Sequence, residues 1–171
     1  VEYSVKNVET INTEKTEFSP FVSKNKLLFA AEYEGFDFVN YEVNSSDGLP
    51  YIQMLVSEIE GNKVKKSKIF SKKLSSDYHD GPACLSSDGK TLYFTRVLNN
   101  VKEDFVNRTK IYTAKSSNRS WKDITLLPFS SDDYSIAHPS ISADNKTLFF
   151  TSDMPGGFGG KDIWMCVKND S

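Results

Sequence analysis

Two histidines, two cysteines and a run of glycines are the residues of this chain most readily enlisted in chemistry. Cys84 and Cys166 allow one disulfide at most. Both sit in apolar, strand-like runs, PACLS and IWMCV, and read as buried free thiols acting as small hydrophobes. His79 follows Tyr78, and His138 directly precedes Pro139, in loops that recur along the chain. A zinc site needs three or four converging ligands, and neither HExxH nor CxxC is present. The histidines therefore read as loop residues bonded to backbone groups. Serines are plentiful, but no GxSxG sets one beside a base. The expectation is a non-catalytic protein with no metal and no cofactor.

The glycines cluster in Pro155-Gly156-Gly157-Phe158-Gly159-Gly160. A phosphate loop needs GxxxxGK followed by Ser or Thr opening a helix, whereas Gly160-Lys161 here leads into Asp162 and a strand. The cluster reads as a tight fold-back between strands, with Asp153 and Asp162 accepting hydrogen bonds from loop amides. A calcium ion would find oxygen ligands in the same two carboxylates and the loop carbonyls, although their spacing matches no dedicated calcium loop.

The elements that position these residues repeat. FSPFVSKNKLLFAA (18–31), DGPACLSSDGKTLYFTR (80–96) and AHPSISADNKTLFFTSD (137–153) share a proline-led strand, a polar turn and a strand ending in Leu, an aromatic or Leu, and Phe. The turns at Asp88-Gly89 and Asp144-Asn145 carry tight-hairpin chemistry. A third strand follows each hairpin at 51–59, 110–116 and 162–168, and a fourth follows at 64–74 and 121–129. The stretch 3–11 reads as a lone outer strand at the N-terminus. Helical periodicity is weak throughout.

Four antiparallel strands recurring about every 60 residues are the signature of β-propeller blades. The fold class expected is all-β: a partial propeller of about three four-stranded blades in one region, 1–171. Blade 1 covers 18–74, blade 2 covers 81–129, and blade 3 carries three strands over 138–168. Three blades do not close a ring of the known sizes. Either the chain continues, which is the reading favoured on sequence, or two copies pair as a homodimer into a six-bladed ring.

Propeller geometry gathers the connections between second and third strands, and those before each proline, on one face. Those connections are long and aromatic, and long loops on a rigid scaffold are where binding concentrates. The candidate binding residues are Tyr33, Phe36, Phe38, Tyr41, Tyr78, His79, Phe105, Tyr134, His138, Asp153 and Phe158. Tyr78 and Tyr134 also fit a packing role, because an aromatic recurs before each proline. The lysines from Lys63 to Lys73 read as a solvated outer edge.

Composition narrows the classes. With Lys+Arg 21 against Asp+Glu 23, the net charge of −2 lacks the basic excess of a nucleic-acid binder. Hydrophobic residues at 38% suffice for a core, and no apolar run approaches the ~18 residues that span a bilayer. The opening VEYSVKN reads as a mature secreted chain or an excised piece of a larger one.

The strings HPSISADNKTLFFTSDMPGGFGGKDIW (138–164) and DGPACLSSDGKTLYFTR (80–96) resemble the WD-like, TolB-type propeller repeats. The extension at 155–160 followed by Asp162-Ile163-Trp164 is similar to propellers of OmpA-like envelope proteins from Bacteroidetes-type bacteria, some of them in type IX secretion and gliding machinery. Met154 stands where that family often has Arg. The resemblance implies a periplasmic, outer-membrane-associated scaffold with an envelope protein as partner. Peptidoglycan binding would belong to an OmpA-like domain that this sequence does not contain. A propeller that binds glycan or peptidoglycan fragments, or one accessory to a hydrolase, are the alternatives.

Overall fold

A computed structural model describes residues 1–33, 50–97, 107–118 and 120–168. Among them are twelve strands and no helix, in three antiparallel sheets, none closed on itself. Sheet 1 holds β1 (Glu17–Ser23), β2 (Lys26–Glu32), β3 (Ile52–Glu60) and two short outer pieces, β4 (Lys63–Val64) and β5 (Lys68–Ile69). Sheet 2 runs β6 (Asp80–Leu85), β7 (Thr91–Val97), β8 (Thr109–Ser117), β9 (Ser120–Leu126). Sheet 3 runs β10 (Ile136–Ile141), β11 (Thr147–Ser152), β12 (Asp162–Val167).

Two outer strands differ from expectation. The continuous strand expected over 64–74 is two fragments, still tied to β3 by Lys65 N donating to Glu58 O at 2.9 Å and Phe70 N to Met54 O at 2.9 Å. The Lys65 ammonium bonds the Glu60 carboxylate across the turn at 2.5 Å. The stretch 3–11 forms no strand; 9–11 turn back, with Ile11 N donating to Val8 O at 3.0 Å. Thr10 Oγ1 donates to Val64 O at 2.8 Å and moors the segment to sheet 1.

The first strand of each sheet carries the same irregularity. The ladder slips between Phe18 and Phe21, between Asp80 and Ala83, and between Ala137 and Ser140, so two residues oppose one, as in a β-bulge. The slip falls on the X-Pro pair each time, because proline has no N–H to give the ladder. The residue before each proline has positive φ: Ser19 at 54°, Gly81 at 114° and His138 at 54°.

These bulges seat one sheet on the next. A Cβ at Gly81 would lie 3.1 Å from Ala30 Cβ and 3.5 Å from Met54 Cγ. At the next interface the corresponding residue, His138, donates its backbone N–H to Thr95 Oγ1 at 3.0 Å. Gly81→Ala therefore meets both a left-handed φ and a packed neighbour, and we expect a loss of about 2–3 kcal/mol in urea unfolding. Stability within 0.5 kcal/mol of the parent would show the seat to be loose.

Strand alternation divides the apolar side chains between the interfaces. Leu28 and Met54 of sheet 1 meet Leu92, Phe94 and Ala114 of sheet 2, with Leu74 filling the gap. On the other side of sheet 2, Ile111 meets Ile136, Leu148 and Phe150 of sheet 3. Phe29 and Leu55, on the side of sheet 1 away from sheet 2, are covered by Ile11 and Val8. Full burial of a side chain such as Phe94, at 0% exposure, is worth about 1.5–3 kcal/mol. Both cysteines are free; Cys84 is buried, its thiol pushed up to about 11 by burial, but Cys166 is only half-buried because one side of β12 is open.

The hairpin turns are built alike. Ser86 Oγ donates to Asp88 Oδ1 at 2.6 Å and accepts from Thr91 N at 2.9 Å; Ser142 does the same with Asp144 at 2.5 Å and Thr147 N at 2.9 Å. These serine hydroxyls, with the Lys90 and Lys146 amides, hold both carboxyls below the usual range. Asn145 then links the turns of sheets 2 and 3, accepting from Ser87 N at 2.8 Å and donating to Ser87 Oγ at 2.6 Å.

Candidate interaction surfaces

One ladder position, early in the third strand of each sheet, organises the loops around it. Gln53, Lys110 and Asp162 stand there, opposite Ala31, Arg96 and Ser152. Gln53 Nε2 donates to the carbonyls of Ser76 and Tyr78, both at 3.3 Å. The buried Lys110 ammonium pairs with Asp132. Asp162 Oδ2 accepts from Phe158 N at 2.8 Å and Gly159 N at 3.0 Å. Two of these side chains thus hold the loop that leads into the next sheet, and the third shapes the glycine loop.

Most described candidates on the loop face are bonded or packed within the chain, Tyr78 through the Gln53 clamp and the others through separate contacts. Tyr51 meets the Tyr78 ring edge-on at 6.0 Å and the His79 ring at 5.1 Å. His79 Nδ1 accepts from Ile52 N at 3.1 Å, which requires that nitrogen to be unprotonated. Tyr134 donates its hydroxyl to Phe129 O at 2.8 Å and packs into the core between sheets 2 and 3. Tyr33 is half-buried beside the Phe29–Leu55 cluster. Asp153 accepts from Ser135 N at 2.7 Å, in the loop before β10, rather than from a glycine-loop amide. Phe36, Phe38, Tyr41 and Phe105 lie outside the described residues.

His138 and Phe158 remain outward-facing. His138 Nδ1 shares a hydrogen bond with Thr151 Oγ1 at 3.1 Å. Partial burial, and then the Lys161 charge, hold its imidazole below the ordinary histidine range, so it is neutral at pH 7. Phe158 is 105% exposed at the tip of the glycine loop. That loop depends on Gly157, where a Cβ would run into the Asp162 carboxylate.

Three arrangements were not read from sequence. Asp80 is fully buried; it accepts from Arg96 Nε at 2.6 Å and from Ser76 N at 2.6 Å. Burial pushes its carboxyl up, and the guanidinium and the Ser76 amide pull it part of the way back. Arg96 also donates to Leu74 O and lies 5.0 Å over the Phe94 ring.

The second is a cleft of about 700 Å³ between sheets 1 and 2, on the side of the short hairpin turns. Lys24, Lys26, Lys68 and Lys73 line it, together with Phe70 and Trp121, whose rings lie 5.4 Å apart. Part of the run expected to be a solvated edge therefore faces a shared space.

The third is an open sheet face. Ile163 and Met165 on β12 are 80% and 64% exposed, and Phe149 on β11, directly opposite Met165, is 41% exposed. Among the described residues no group of three His, Cys, Asp or Glu side chains converges as a metal site, and no helix is long and apolar enough to cross a membrane. Compared with known proteins, the chain matches no family model, and no curated protein matches it.

Proposed function

We propose that the chain is a run of three blades of a β-propeller, and that it works as a non-catalytic protein-interaction scaffold in a bacterial envelope protein, on the periplasmic side of the outer membrane. The observation that carries this reading is the repetition of one inter-sheet seat. β6 packs against β1, β2 and β3, and β10 packs against β6, β7 and β8, each through an X-Pro bulge. A sheet that stacks on its neighbour by its first strand, with its outer strand free, is the arrangement that radial blades require. The clamped loops then give a rigid display surface, which lowers the ordering cost of binding. The envelope setting rests on the resemblance of 80–96 and 138–164.

The test is binding of the immobilised chain to envelope extracts of a Bacteroidetes-type bacterium and to a muropeptide set. Saturable, protease-sensitive binding that soluble chain competes away is expected, with no muropeptide response. Binding to muropeptides alone would overturn the protein-scaffold reading.

A second reading, binding of an anionic glycan, is favoured by the cleft, where lysines surround the Phe70–Trp121 pair. Aromatic faces suit sugar rings, and ammonium groups suit their acidic substituents. Affinity for an anionic polysaccharide, lost in Lys68→Glu/Lys73→Glu, would favour this reading.

A further inference from the structure

The cleft between sheets 1 and 2 has two walls of different chemistry. Sheet 1 supplies every cation that lines it: Lys24 and Lys26 from the β1–β2 turn, Lys68 on β5, and Lys72 and Lys73 just beyond. Sheet 2 supplies Trp121, Ser116, Ser120 and Asp88, and no cation. Five ammonium groups thus share the space with one carboxylate, on a chain whose net charge is −2. Phe70 and Trp121 pack against the core cluster that joins the two sheets, so the walls stand on a fixed floor.

A solvated outer edge accounts for Lys68, Lys72 and Lys73. It does not account for Lys24 and Lys26, which flank the β1–β2 turn on the opposite side of the sheet. Among the described residues Lys24, Lys26, Lys68 and Lys73 enter no ion pair, whereas Lys65 and Lys110 do. Like charges gathered about one space repel one another, and a cleft of one sign concentrates anions. Its cations are all lysines, so recognition is by point charge and admits carboxylate and sulfate alike.

The other wall carries uncommitted hydrogen-bonding groups. Ser116 stands directly opposite Trp121 in the β8–β9 ladder, and Ser120 precedes it. Among the described residues neither serine hydroxyl makes a hydrogen bond within the chain, nor does the Trp121 indole N–H. The Phe70 and Trp121 rings, 5.4 Å apart and tilted by 36°, already touch, so no planar ring enters between them. A ligand must lie on their open side. Asp88 stands on the same wall, its Oδ1 accepting from Ser86 Oγ at 2.6 Å and Lys90 N at 2.9 Å, bonds that keep it ionised. A polymer charged on every side is repelled there. The ligand that fits is acidic along one edge and presents an apolar ring face with hydroxyls along the other.

We propose that the cleft binds a linear acidic polysaccharide, whose carboxylate or sulfate groups meet the sheet 1 lysines while a sugar ring lies on Trp121. The proposal rests on the anionic-glycan reading and makes it specific, because it names which wall reads which part of the ligand. A pyranose ring has an apolar C–H face rimmed by hydroxyls, which suits an indole flanked by two serines. The lysines attract any polyanion; Trp121, Ser116 and Ser120 select a sugar among them. Polyglutamate offers charge without a ring, and single-stranded DNA offers charge with a base in place of a sugar face.

The test is calorimetric titration of the 171-residue chain with polygalacturonate and dextran sulfate, set against neutral dextran, polyglutamate and single-stranded DNA. An acidic polysaccharide is expected to bind at least about 10-fold more tightly than polyglutamate or DNA, with dextran silent. Affinity should fall as salt rises, since Lys24, Lys26, Lys68 and Lys73 are exposed. Lys24→Asn/Lys26→Gln should weaken binding at least about 10-fold. Its stability should match the parent's, because both side chains are exposed and Asn suits the φ of 55° at Lys24. Trp121→Ala should weaken binding as much, with hydrogen exchange at β7 checking that the variant folds.

Preference for polygalacturonate or for dextran sulfate upholds the proposal either way and assigns the acidic group as carboxylate or sulfate. Binding of an acidic polysaccharide that is indifferent to the lysine pair overturns the proposal and leaves the anionic-glycan reading standing at another surface. A folded Trp121→Ala chain that binds as the parent does overturns it by removing the ring contact. Polyglutamate or DNA bound as tightly as the polysaccharides overturns it as well, because charge or a base is then what the cleft reads. Silence toward every polyanion defeats the proposal and the anionic-glycan reading together.

Discussion

Arg96→Ala should cost about 3–5 kcal/mol of unfolding free energy. Asp80 is fully buried, and its partners are the Arg96 guanidinium and the Ser76 amide. Removing the arginine leaves a carboxylate in a site that burial already makes hostile to charge. Leu74 O also loses a donor, and the Phe94 ring loses the guanidinium above it. The sign of the pH dependence separates lost charge compensation from lost packing. The Asp80 carboxyl already titrates above its ordinary value, because burial outweighs its partners. Without Arg96 it rises further. A group whose folded-state pKa is raised contributes stability that is fully present below the unfolded value, about 3.9, and lost as pH rises through the folded value. The deficit of Arg96→Ala should therefore be largest near neutrality and shrink toward pH 4. Asp80→Asn in the same background should restore part of the loss at pH 7. Urea titrations at pH 4, 5.5 and 7 read all of this, and a small, pH-independent deficit would mean that the pair is solvated.

That ion pair was hidden in the sequence for a physical reason. Asp80 and Arg96 face each other across the bulge at Gly81-Pro82, and the partner of a side chain at a bulge depends on how the ladder slips. The hairpins were legible because their register is set locally, by Asp88 and Asp144 accepting the amides two residues on and by the alternation of the strands that follow. Outer strands were less so. They pair on one side only and lack a second ladder to keep them continuous, as 64–74 breaks into two short pieces and as the Val8–Ile11 turn takes up the end of the stretch from residue 3. The candidate surface was legible in part. Aromatics before each proline could be located but not assigned, since Tyr134 turns its hydroxyl inward to Phe129 and Tyr78 leans on Tyr51. The lysine cleft required knowing that Lys24 and Lys73, far apart in the chain, line the same space as Trp121 of the next sheet.

Ile111→Ala and Ile163→Ala form a matched pair, and the difference between them should be large. The two isoleucines occupy the same ladder position, opposite Thr95 and Thr151. Ile111 is 0% exposed and packs with Ile136, Leu148 and Phe150, where the bulged strand of sheet 3 bears on it. Deleting its branch leaves a cavity between two sheets that are held apart by their other contacts, and such losses run to about 2–5 kcal/mol. Ile163 is 80% exposed, so its truncation should stay within about 0.5 kcal/mol when the chain is monomeric. Unfolding each variant in urea at one low protein concentration makes the comparison. A loss at Ile163 as large as that at Ile111 would mean that the outer side of sheet 3 is covered within a single chain. A negligible loss at Ile111 would mean that the two sheets collapse onto the smaller side chain.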